Sequence, residues 1–277
     1  MKASAGGYAR ATDLSHALAL LAASDGQGRV IAGGQSLVAA MNMRLSTGDL
    51  LVDISRLSDL RGVQDVGDAI RIGALTRHVD IGSDPLIKTH APLLAKAVGY
   101  IAHAAIRNRG TIGGACAHAD PAAEFPACVL VLDAVMHVTG PDGDRSVPAD
   151  EFFLETFETA IAEGEILTSI SVPKAQPGET QILEEVARRS GDYALAGLCL
   201  VQSAGSHRVS LFSVAPKPIL ARRTMEALDA GGVDTAVMRL AEELDPPSDT
   251  QASATYRQHL AGVLLRRAVA RIGEAKS

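Results

Sequence analysis

The sequence predicts an α+β fold in two parts, with a boundary near residue 176. Before the boundary, segments with apolar residues at helical spacing alternate with short apolar runs that are typical of strands. The pattern changes around "AQPGET" (175–180), after which three strand-like segments come in succession and two amphipathic helices follow. We therefore predict one domain over residues 1–176 and a second over residues 177–277.

The first part begins with a helix, a strand and a turn. Leucines at helical spacing in "DLSHALALLAAS" (13–24) follow a capping Thr or Asp, and "GRVIAGGQSL" (28–37) is typical of a short buried strand that enters a glycine turn. "LLVDIS" (50–55) and "AIRIGALT" (69–76) are predicted strands, and residues 62–68 are a predicted turn-rich link between them.

The first part continues with mixed elements. Apolar residues at helical spacing predict a helix in "HAPLLAKAVGYIAH" (90–103). "PACVLVLDAVMHVTG" (126–140) is predicted to begin as a helix and to become a strand near Ala134, before a turn at residues 141–144. "EILTSISVPK" (165–174) is predicted as an edge strand, because the proline near its end cannot donate a ladder hydrogen bond.

The second part is predicted to hold an antiparallel sheet and then helices. The strand segments are "QILEEVARRS" (181–190), "DYALAGLCLVQS" (192–203) and "RVSLFSVAPKP" (208–218). The helix segments are "RRTMEALDA" (222–230) and "TYRQHLAGVLLRRAVARI" (255–272).

Composition limits the possible functions. No apolar run approaches the roughly 20 residues that cross a bilayer, and the start "MKASAGGYARATD" has no signal-peptide core, so a cytoplasmic location is expected. A net charge of −6, without basic clusters beside aromatic residues, argues against nucleic acid as a partner. Three scattered cysteines without metal-ligand spacing indicate that the chain carries no disulfide framework and no iron–sulfur cluster of its own.

Most of the candidate functional residues lie in the segment "IRNRGTIGGACAHADPAAEFPA" (106–127). The segment is compatible with a metal site, a proton-transfer site or a set of backbone amides that binds an anion. His118, Asp120 and Glu124 do not fall convincingly on one helix face, which argues against a metal. "DPAAE" instead predicts a helix start with Asp120 as N-cap and Pro121 at the first helical position.

Two glycine pairs favour the anion hypothesis. They lie in "AGGQSL" (32–37) and "TIGGACAH" (111–118), where paired glycines allow positive φ and let successive N–H groups converge on phosphate oxygens. Neither segment matches a Rossmann or P-loop fingerprint. One glycine pair is often only a turn, but two, each beside a hydroxyl from Ser36 or Thr111, suggest a diphosphate held from two sides. Arg107 and Arg109 are predicted to form a structural ion pair or to bind phosphate.

Three motifs carry a resemblance to a known family. "AGGQSLVAAMNMRL", "RNRGTIGGACAHADPAAEFPACVLVLDA" and "RRSGDYALAG" occur in order and resemble the FAD-binding medium subunit of the xanthine oxidase and carbon monoxide dehydrogenase family of molybdenum hydroxylases. The resemblance covers nearly the whole chain and ends in "YRQHLAGVLLRRAV". It implies a PCMH-type FAD-binding domain of two α/β subdomains, at about 1–60 and 61–176, and then the family's C-terminal domain.

The resemblance also implies that substrate oxidation and electron transfer occur on different subunits. A molybdopterin-binding large subunit would oxidise the substrate, and a small subunit with two [2Fe-2S] clusters would pass electrons to FAD on this chain and onward to an external acceptor. A dimer of such heterotrimers is expected, with no catalytic base and no metal ligand on this chain. The alternative is a stand-alone PCMH-type flavin oxidoreductase that acts directly on a small molecule.

The resemblance assigns FAD contacts to individual positions. They are Ala32, Gly33, Gly34, Gln35, Ser36 and Leu37 in a first pyrophosphate loop, and Thr111, Gly113, Gly114 and Ala117 in or near a second. Asp120 and Glu124 are candidates for the ribityl chain, and Leu167 for an apolar contact to the flavin ring. Tyr193 is implied to lie near the isoalloxazine face, the alternative being an aromatic residue packed in the sheet at the domain junction.

The sequence departs from the family pattern at two places. Ala115 follows the second glycine pair where relatives often have Asn or Ser, so one polar contact to FAD is expected to be absent. "VAA" (38–40) lacks a proline that is common after the first loop. Neither change removes a backbone donor.

Overall fold

The computed structural model describes residues 6–46 and 50–275; residues 1–5 and 276–277, where the two predicted domain ranges begin and end, lie outside the described residues. The strands are β1 (Gly7–Arg10), β2 (Gly28–Ile31), β3 (Leu50–Asp53), β4 (Val63–Asp65), β5 (Ala69–Gly73), β6 (Val135–Gly140), β7 (Gly143–Pro148), β8 (Phe153–Glu155), β9 (Glu158–Thr159), β10 (Ile166–Pro173), β11 (Thr180–Val186), β12 (Ala196–Ser203), β13 (Ser206–Phe212) and β14 (Ile219–Leu220). The helices are α1 (Leu14–Ala22), α2 (Leu37–Asn42), α3 (His78–Ser83), α4 (Pro85–His90), α5 (Pro92–Ala97), α6 (Ala104–Arg107), α7 (Ile112–His118), α8 (Glu124–Val131), α9 (Ala149–Phe152), α10 (Arg222–Asp229), α11 (Val233–Glu243) and α12 (Ala254–Ala275), with a 3₁₀ turn at Ser58–Leu60.

The N-terminal sheet is parallel and small. Its strand order is β1-β3-β2, so β3 lies between the two earlier strands. The predicted helix cap is Asp13, whose carboxylate accepts a hydrogen bond from the His16 backbone N–H at 2.8 Å. Strand β2 is only partly buried, contrary to expectation, because it is an edge strand of this sheet.

The second sheet is antiparallel, in the order β4-β5-β10-β6-β7. Strand β10 is its central strand, so the prediction of an edge strand is wrong. Pro173 is the last residue of β10 and pairs with Ala69, and its missing N–H therefore falls where the ladder ends. Strand β4 occupies part of the predicted turn-rich link and forms a hairpin with β5.

The predicted helix at residues 90–103 is broken. Helix α4 ends at His90, α5 begins at Pro92 and ends at Ala97, and α6 starts only at Ala104. Pro92 occupies the first turn of α5, where a missing N–H costs little. In contrast, the predicted passage from helix into strand near Ala134 is confirmed by α8 and β6.

The C-terminal sheet is antiparallel, in the order β11-β12-β13-β14, and helices cover both of its faces. Helix α8 packs against β12 and β13, whereas α12 packs against β11 and β12. Helix α11 was not predicted, because it buries only Ala236 and Leu240 and so has too narrow an apolar stripe. Within the described residues, no helix is both long and apolar enough to cross a membrane.

Candidate functional site

The first glycine motif is a loop between β2 and α2 that lies directly against the second motif. Of its two glycines, only Gly34 has a positive φ, at +70°. Gly33 instead allows two backbone segments to approach each other closely. A Cβ atom built on it would lie 2.2 Å from the backbone oxygen of Arg109 and 3.0 Å from Cα of Gly110. The fold therefore brings the two distant glycine motifs into contact.

The first loop has unused hydrogen-bond donors. Within the described residues, the backbone N–H groups from Gly33 to Leu37 have no acceptor in the protein. Ser36 precedes α2 and its side chain makes no capping hydrogen bond, while the Gln35 amide donates to the backbone oxygen of Gly33 at 2.9 Å. A run of free amides and a free hydroxyl is a suitable donor set for an anionic group.

The second glycine motif is the first turn of α7 rather than a loop. Thr111 caps the helix, and its Oγ1 accepts from the Gly114 N–H at 3.1 Å. The Gly113 N–H donates to the Ala74 backbone oxygen at 2.9 Å. Both glycine amides thus have acceptors within the protein, and a direct contact of either amide with a phosphate stays a prediction.

The glycines of α7 instead permit close packing. A Cβ atom on Gly113 would lie 2.4 Å from Cβ of Ala74, so this position packs α7 onto the segment that follows β5. A Cβ atom on Gly114 would lie 3.9 Å from Cβ of Ala32, on the side of the first loop. Gly114 thus keeps the surface between α7 and the first loop free of a side chain.

The carboxylates follow the other end of α7. The predicted helix start at Asp120 is wrong, since α8 begins at Glu124. Asp120 forms a tight turn in which its Oδ1 accepts from the Ala122 N–H at 2.9 Å. The Pro121 backbone oxygen accepts a hydrogen bond from the Ser213 N–H at 2.8 Å. This tertiary contact fixes the turn, and the helix therefore begins at a later residue than predicted.

Glu124 and Tyr193 lie together at this end of the site. Glu124 is only 9% exposed, and burial raises the pKa of its carboxyl to about 8, with further contributions from Glu185 and Asp120. Tyr193 is 69% exposed and lies in the loop between β11 and β12, so it is not a packed sheet aromatic. Reduced solvation of its hydroxyl raises the pKa of Tyr193 to about 12, and the charges of Asp120 and Glu124 act in the same direction.

The Tyr193 loop rests on the segment before the second motif. Gly191 has a φ of +84°, and a Cβ atom on it would lie 2.6 Å from the Ala102 backbone oxygen. Arg107 donates to the backbone oxygens of Ile101 and Ala102 at 2.9 and 2.8 Å. The predicted ion pair is therefore replaced, for Arg107, by hydrogen bonds that hold the segment under the Tyr193 loop.

Other predicted residues surround α7. Ala117 is exposed on α7, and Ala115 is partly exposed on it. Leu167 is 5% exposed and belongs to the apolar core beside α7, so its contact with a flavin stays a prediction. His118 contacts Phe157, with 4.9 Å between ring centroids, and burial lowers its pKa.

His78 packs in the apolar layer beside Phe125. It is 6% exposed, lies edge-on to Phe125 at 5.0 Å, and neither ring nitrogen has a partner within the described chain. Burial lowers the pKa of His78 to about 4, so the imidazole is neutral at physiological pH.

Glu185 is a further residue near the site that was not predicted from the sequence. This residue of β11 has an inaccessible Oε2 without a hydrogen-bond partner, and burial raises its pKa to about 7. The pattern "ILEEV" offered a signal, because two adjacent acids in a strand that is apolar on both faces cannot both reach solvent. No group of three or more His, Cys, Asp or Glu in the described part of the chain is arranged to hold a metal.

Comparison with known proteins identifies the family. The model of the FAD-binding domain in molybdopterin dehydrogenase matches residues 2–175. The chain belongs to the FAD-binding medium subunits of the molybdenum hydroxylases. The model of the CO dehydrogenase flavoprotein C-terminal domain matches residues 181–272 of this medium subunit.

Individual relatives are similar to this chain over nearly its whole length. The carbon monoxide dehydrogenase medium chain of Afipia carboxidovorans is 37% identical over 276 residues, which cover 95% of each chain. The subunit alpha of the 6-hydroxypseudooxynicotine dehydrogenase complex of Paenarthrobacter nicotinovorans is 36% identical over 275 residues, 95% of this medium subunit and 93% of the relative. The solved structure of reconstituted CO dehydrogenase from Oligotropha carboxidovorans gives a TM-score of 0.94 at 35% identity and covers 98% and 99% of the two chains. The predicted family, fold class and FAD cofactor are thereby confirmed.

Proposed function

We propose that this medium subunit is the electron-transfer flavoprotein of a heterotrimeric molybdenum hydroxylase. It would take electrons from [2Fe-2S] clusters on a small partner subunit and deliver them through FAD to an external acceptor. The observation that carries the proposal is the row of free backbone amides from Gly33 to Leu37, which lies against the second glycine motif. When bound, FAD exchanges electrons singly with iron–sulfur clusters and in pairs with other acceptors.

The described residues fit FAD along α7. We assign the diphosphate to the first loop, from Ala32 to Leu37, with the Ser36 hydroxyl as an added donor. Thr111, Gly113 and Gly114 shape the opposite wall. The seven residues of α7 separate this wall from the Asp120 turn by about 10 Å, which supports an extended cofactor along the helix.

The remaining predicted contacts fall at the far end of α7. Asp120 and Glu124 would accept hydrogen bonds from the ribityl chain, and Tyr193 would lie at the flavin ring. Leu167 and Ala117 would contribute apolar surface. In this proposal the chain positions FAD and sets the charge around it. It supplies no general base, because the substrate is oxidised on another subunit.

The proposal places substrate oxidation on a molybdopterin-binding large subunit. The names of the relatives refer to different molecules, carbon monoxide and 6-hydroxypseudooxynicotine, although the matches cover 95% of this chain in both cases. This similarity supports a shared electron-transfer chain combined with different substrate-binding chains. We further propose a dimer of heterotrimers in the cytoplasm.

The domain organisation is also a proposal. We place a FAD-binding domain at residues 1–176, with subdomains at about 1–60 and 61–176, and a C-terminal domain at 177–277. The two family models, which match residues 2–175 and 181–272, support this division. The segment between β10 and β11, after Pro173 and before Thr180, contains the proposed boundary.

Purification of the chain alone and with its partner subunits tests the function. We expect the isolated chain to bind FAD, to be yellow and to turn over no substrate, and the complex with the large and small subunits to reduce an artificial acceptor. Substrate turnover by the isolated flavoprotein would instead support the stand-alone oxidoreductase. A folded chain that takes up no added FAD would contradict both.

A further inference from the structure

Strand β11 directs its two adjacent glutamates to opposite faces of the C-terminal sheet. Leu183 belongs to the core on the α8 side, and Glu184 reaches Arg271 of α12 at 2.5 Å on the other side. Because side chains alternate along a strand, Glu185 lies on the same face as Leu183. Glu185 therefore enters the layer between the sheet and α8.

The strand register shows what lies beside Glu185. Glu185 pairs with Gly197 of β12, and Gly197 pairs with Phe212 of β13. A Cβ atom on Gly197 would lie 2.0 Å from Cζ of Phe212, so the phenyl ring covers the glycine. The Phe212 ring therefore lies over the position next to Glu185 on this face of the sheet.

Helix α8 runs along β13 and brings Glu124 to the same layer. Three hydrogen bonds fix its position, from Arg208 Nε to Val131 O (2.9 Å), from Ser210 Oγ to Ala127 O (2.7 Å) and from Ser213 N to Pro121 O (2.8 Å). Later residues of β13 thus contact earlier residues of the α8 segment. Glu124, which lies between Pro121 and Ala127, is therefore placed near Phe212, which lies between Ser210 and Ser213. Glu124 and Glu185 approach this ring from the helix and from the sheet.

Neither carboxylate has a compensating cation. Glu124 is only 9% exposed, and the one hydrogen bond to its carboxylate comes from its own backbone N–H. Oε2 of Glu185 is inaccessible and has no partner, and neither glutamate forms a salt bridge within the described residues. Burial and like charge each favour the neutral form of a carboxyl group, so the state in which both glutamates are ionised is disfavoured.

We propose that Glu124 and Glu185 bind one proton between them at neutral pH, so that they form an electrostatically coupled pair in the layer between α8 and the C-terminal sheet. The pair carries one negative charge instead of two. The raised pKa of Glu124, to which Glu185 contributes, agrees with this assignment.

The other ionisable groups around the pair come from every neighbouring element. They are Asp120 and Tyr193 on loops, Tyr100 after α5, Cys128 on α8, Lys96 on α5, Glu184 on β11 and Arg271 on α12. The Arg271 guanidinium is engaged by Glu184 and Lys96 Nζ by the Gln181 backbone oxygen at 2.6 Å, so neither cation neutralises the pair.

A role for the pair follows if the proposed function is correct. Glu124 acts on the Tyr193 hydroxyl, and both lie at the end of α7 that we assign to the flavin ring. Loss of this proton would add one negative charge there. Glu185 is then a positioning residue, which acts on the flavin through Glu124.

Carbon-13 NMR of the chain labelled at the glutamate carboxyls tests the proposal without FAD. We expect one resonance, which Glu124→Gln removes, to titrate at least about two pH units above the value near 4.3 of a free glutamate. In Glu185→Gln, the Glu124 resonance should titrate lower by about one pH unit or more, because the like charge is gone. Circular dichroism would verify that each variant is folded.

Glu226→Gln is the control, because it removes an exposed carboxylate of α10 that forms no salt bridge within the described residues, and it should leave the Glu124 titration unchanged. The proposal is overturned if every glutamate of the wild type titrates below pH 6, or if Glu185→Gln leaves Glu124 unchanged. In the FAD-loaded chain, a pH-dependent change in flavin absorbance should be lost in Glu185→Gln. Failure to bind FAD would contradict the proposed function, whereas the carboxyl titration would still decide whether the pair binds one proton.

Discussion

At Gly33, the absence of a Cβ atom allows the two glycine motifs to touch. The site that a Cβ would take is 2.2 Å from the Arg109 backbone oxygen, and backbone atoms cannot move aside as a flexible side chain can. The partner in this close approach is the protein itself. Its φ is ordinary, and Gly34 supplies the positive φ of the loop.

Gly33→Ala should separate the first loop from the second motif. Because the new methyl group displaces backbone, we expect the free energy of unfolding to fall by about 1–3 kcal/mol and FAD to bind more weakly. Chemical denaturation and equilibrium titration with FAD measure the two effects. Gly273→Ala is the control, since a Cβ at that position of α12 meets nothing within 4 Å and should leave both values nearly unchanged or slightly raise stability.

Ser36 offers a test of the donor set that does not depend on packing. Its side chain makes no capping hydrogen bond, so Ser36→Ala should leave stability unchanged and lower FAD affinity by about tenfold, the loss of one hydrogen bond to a charged group. Ser15→Ala, an exposed serine of α1, is the matched control. Equal FAD affinity for all three proteins would remove Ser36 from the assigned contacts.

Among the elements, β12 shows how a strand makes room for a neighbour. Gly197 replaces a side chain in a strand that is otherwise apolar on both faces, and the Phe212 ring fills the space. The ring in turn forms part of the layer that encloses Glu124 and Glu185. The composition of "ALAGLCLVQS" predicts the strand, whereas only the register reveals why it contains a glycine.

Gly197→Ala should destabilise the C-terminal sheet by about 1–3 kcal/mol, because its methyl group overlaps the fully buried Phe212 ring. Denaturant unfolding would measure the loss. The second change Phe212→Leu removes the overlapping ring atoms, and it should cost less in the Gly197→Ala background than in the wild type. Additive effects of the two changes would show that the ring and the glycine do not depend on each other.

The elements that were predicted correctly have strong local signals. Helix α1 has an Asp cap and leucines at helical spacing, and α8 passes into β6 after a continuous apolar run. Failures occurred where a tertiary contact decided the outcome. The Ser213 hydrogen bond holds the turn before α8, and strand pairing on both sides makes β10 central despite its terminal proline.

For the whole molecule, buried acids should control how stability depends on pH. Glu124 has a pKa raised to about 8 and Glu185 one raised to about 7, so the folded state binds more protons than the unfolded state between about pH 4.5 and 8. Their contribution is present below the unfolded pKa and is lost as the pH rises through the folded pKa. His78, with its pKa lowered to about 4, contributes stability above pH 6.5 that is lost as the pH falls toward 4.

We therefore expect the free energy of unfolding to fall by roughly 1–2 kcal/mol between pH 6.5 and pH 8. Urea denaturation at several pH values in this window measures the slope. Glu124→Gln should flatten it, because the neutral amide takes the place of a carboxyl that must otherwise lose its proton. An unchanged slope in this variant would assign the dependence to other groups.

The sequence by itself determined the family, the fold class and the FAD cofactor through the resemblance that its three motifs carry, because motifs are local features that can be read in the linear chain. The glycine pairs and neighbouring hydroxyls by themselves indicated only an anion site. Tertiary structure decided which donors are free. The amides of the first loop remain available, whereas those of Gly113 and Gly114 are taken by Ala74 and Thr111. It also decided that Glu185 of the second part and Glu124 of the first lie in the same layer, because this depends on strand register and helix position, which distant residues set.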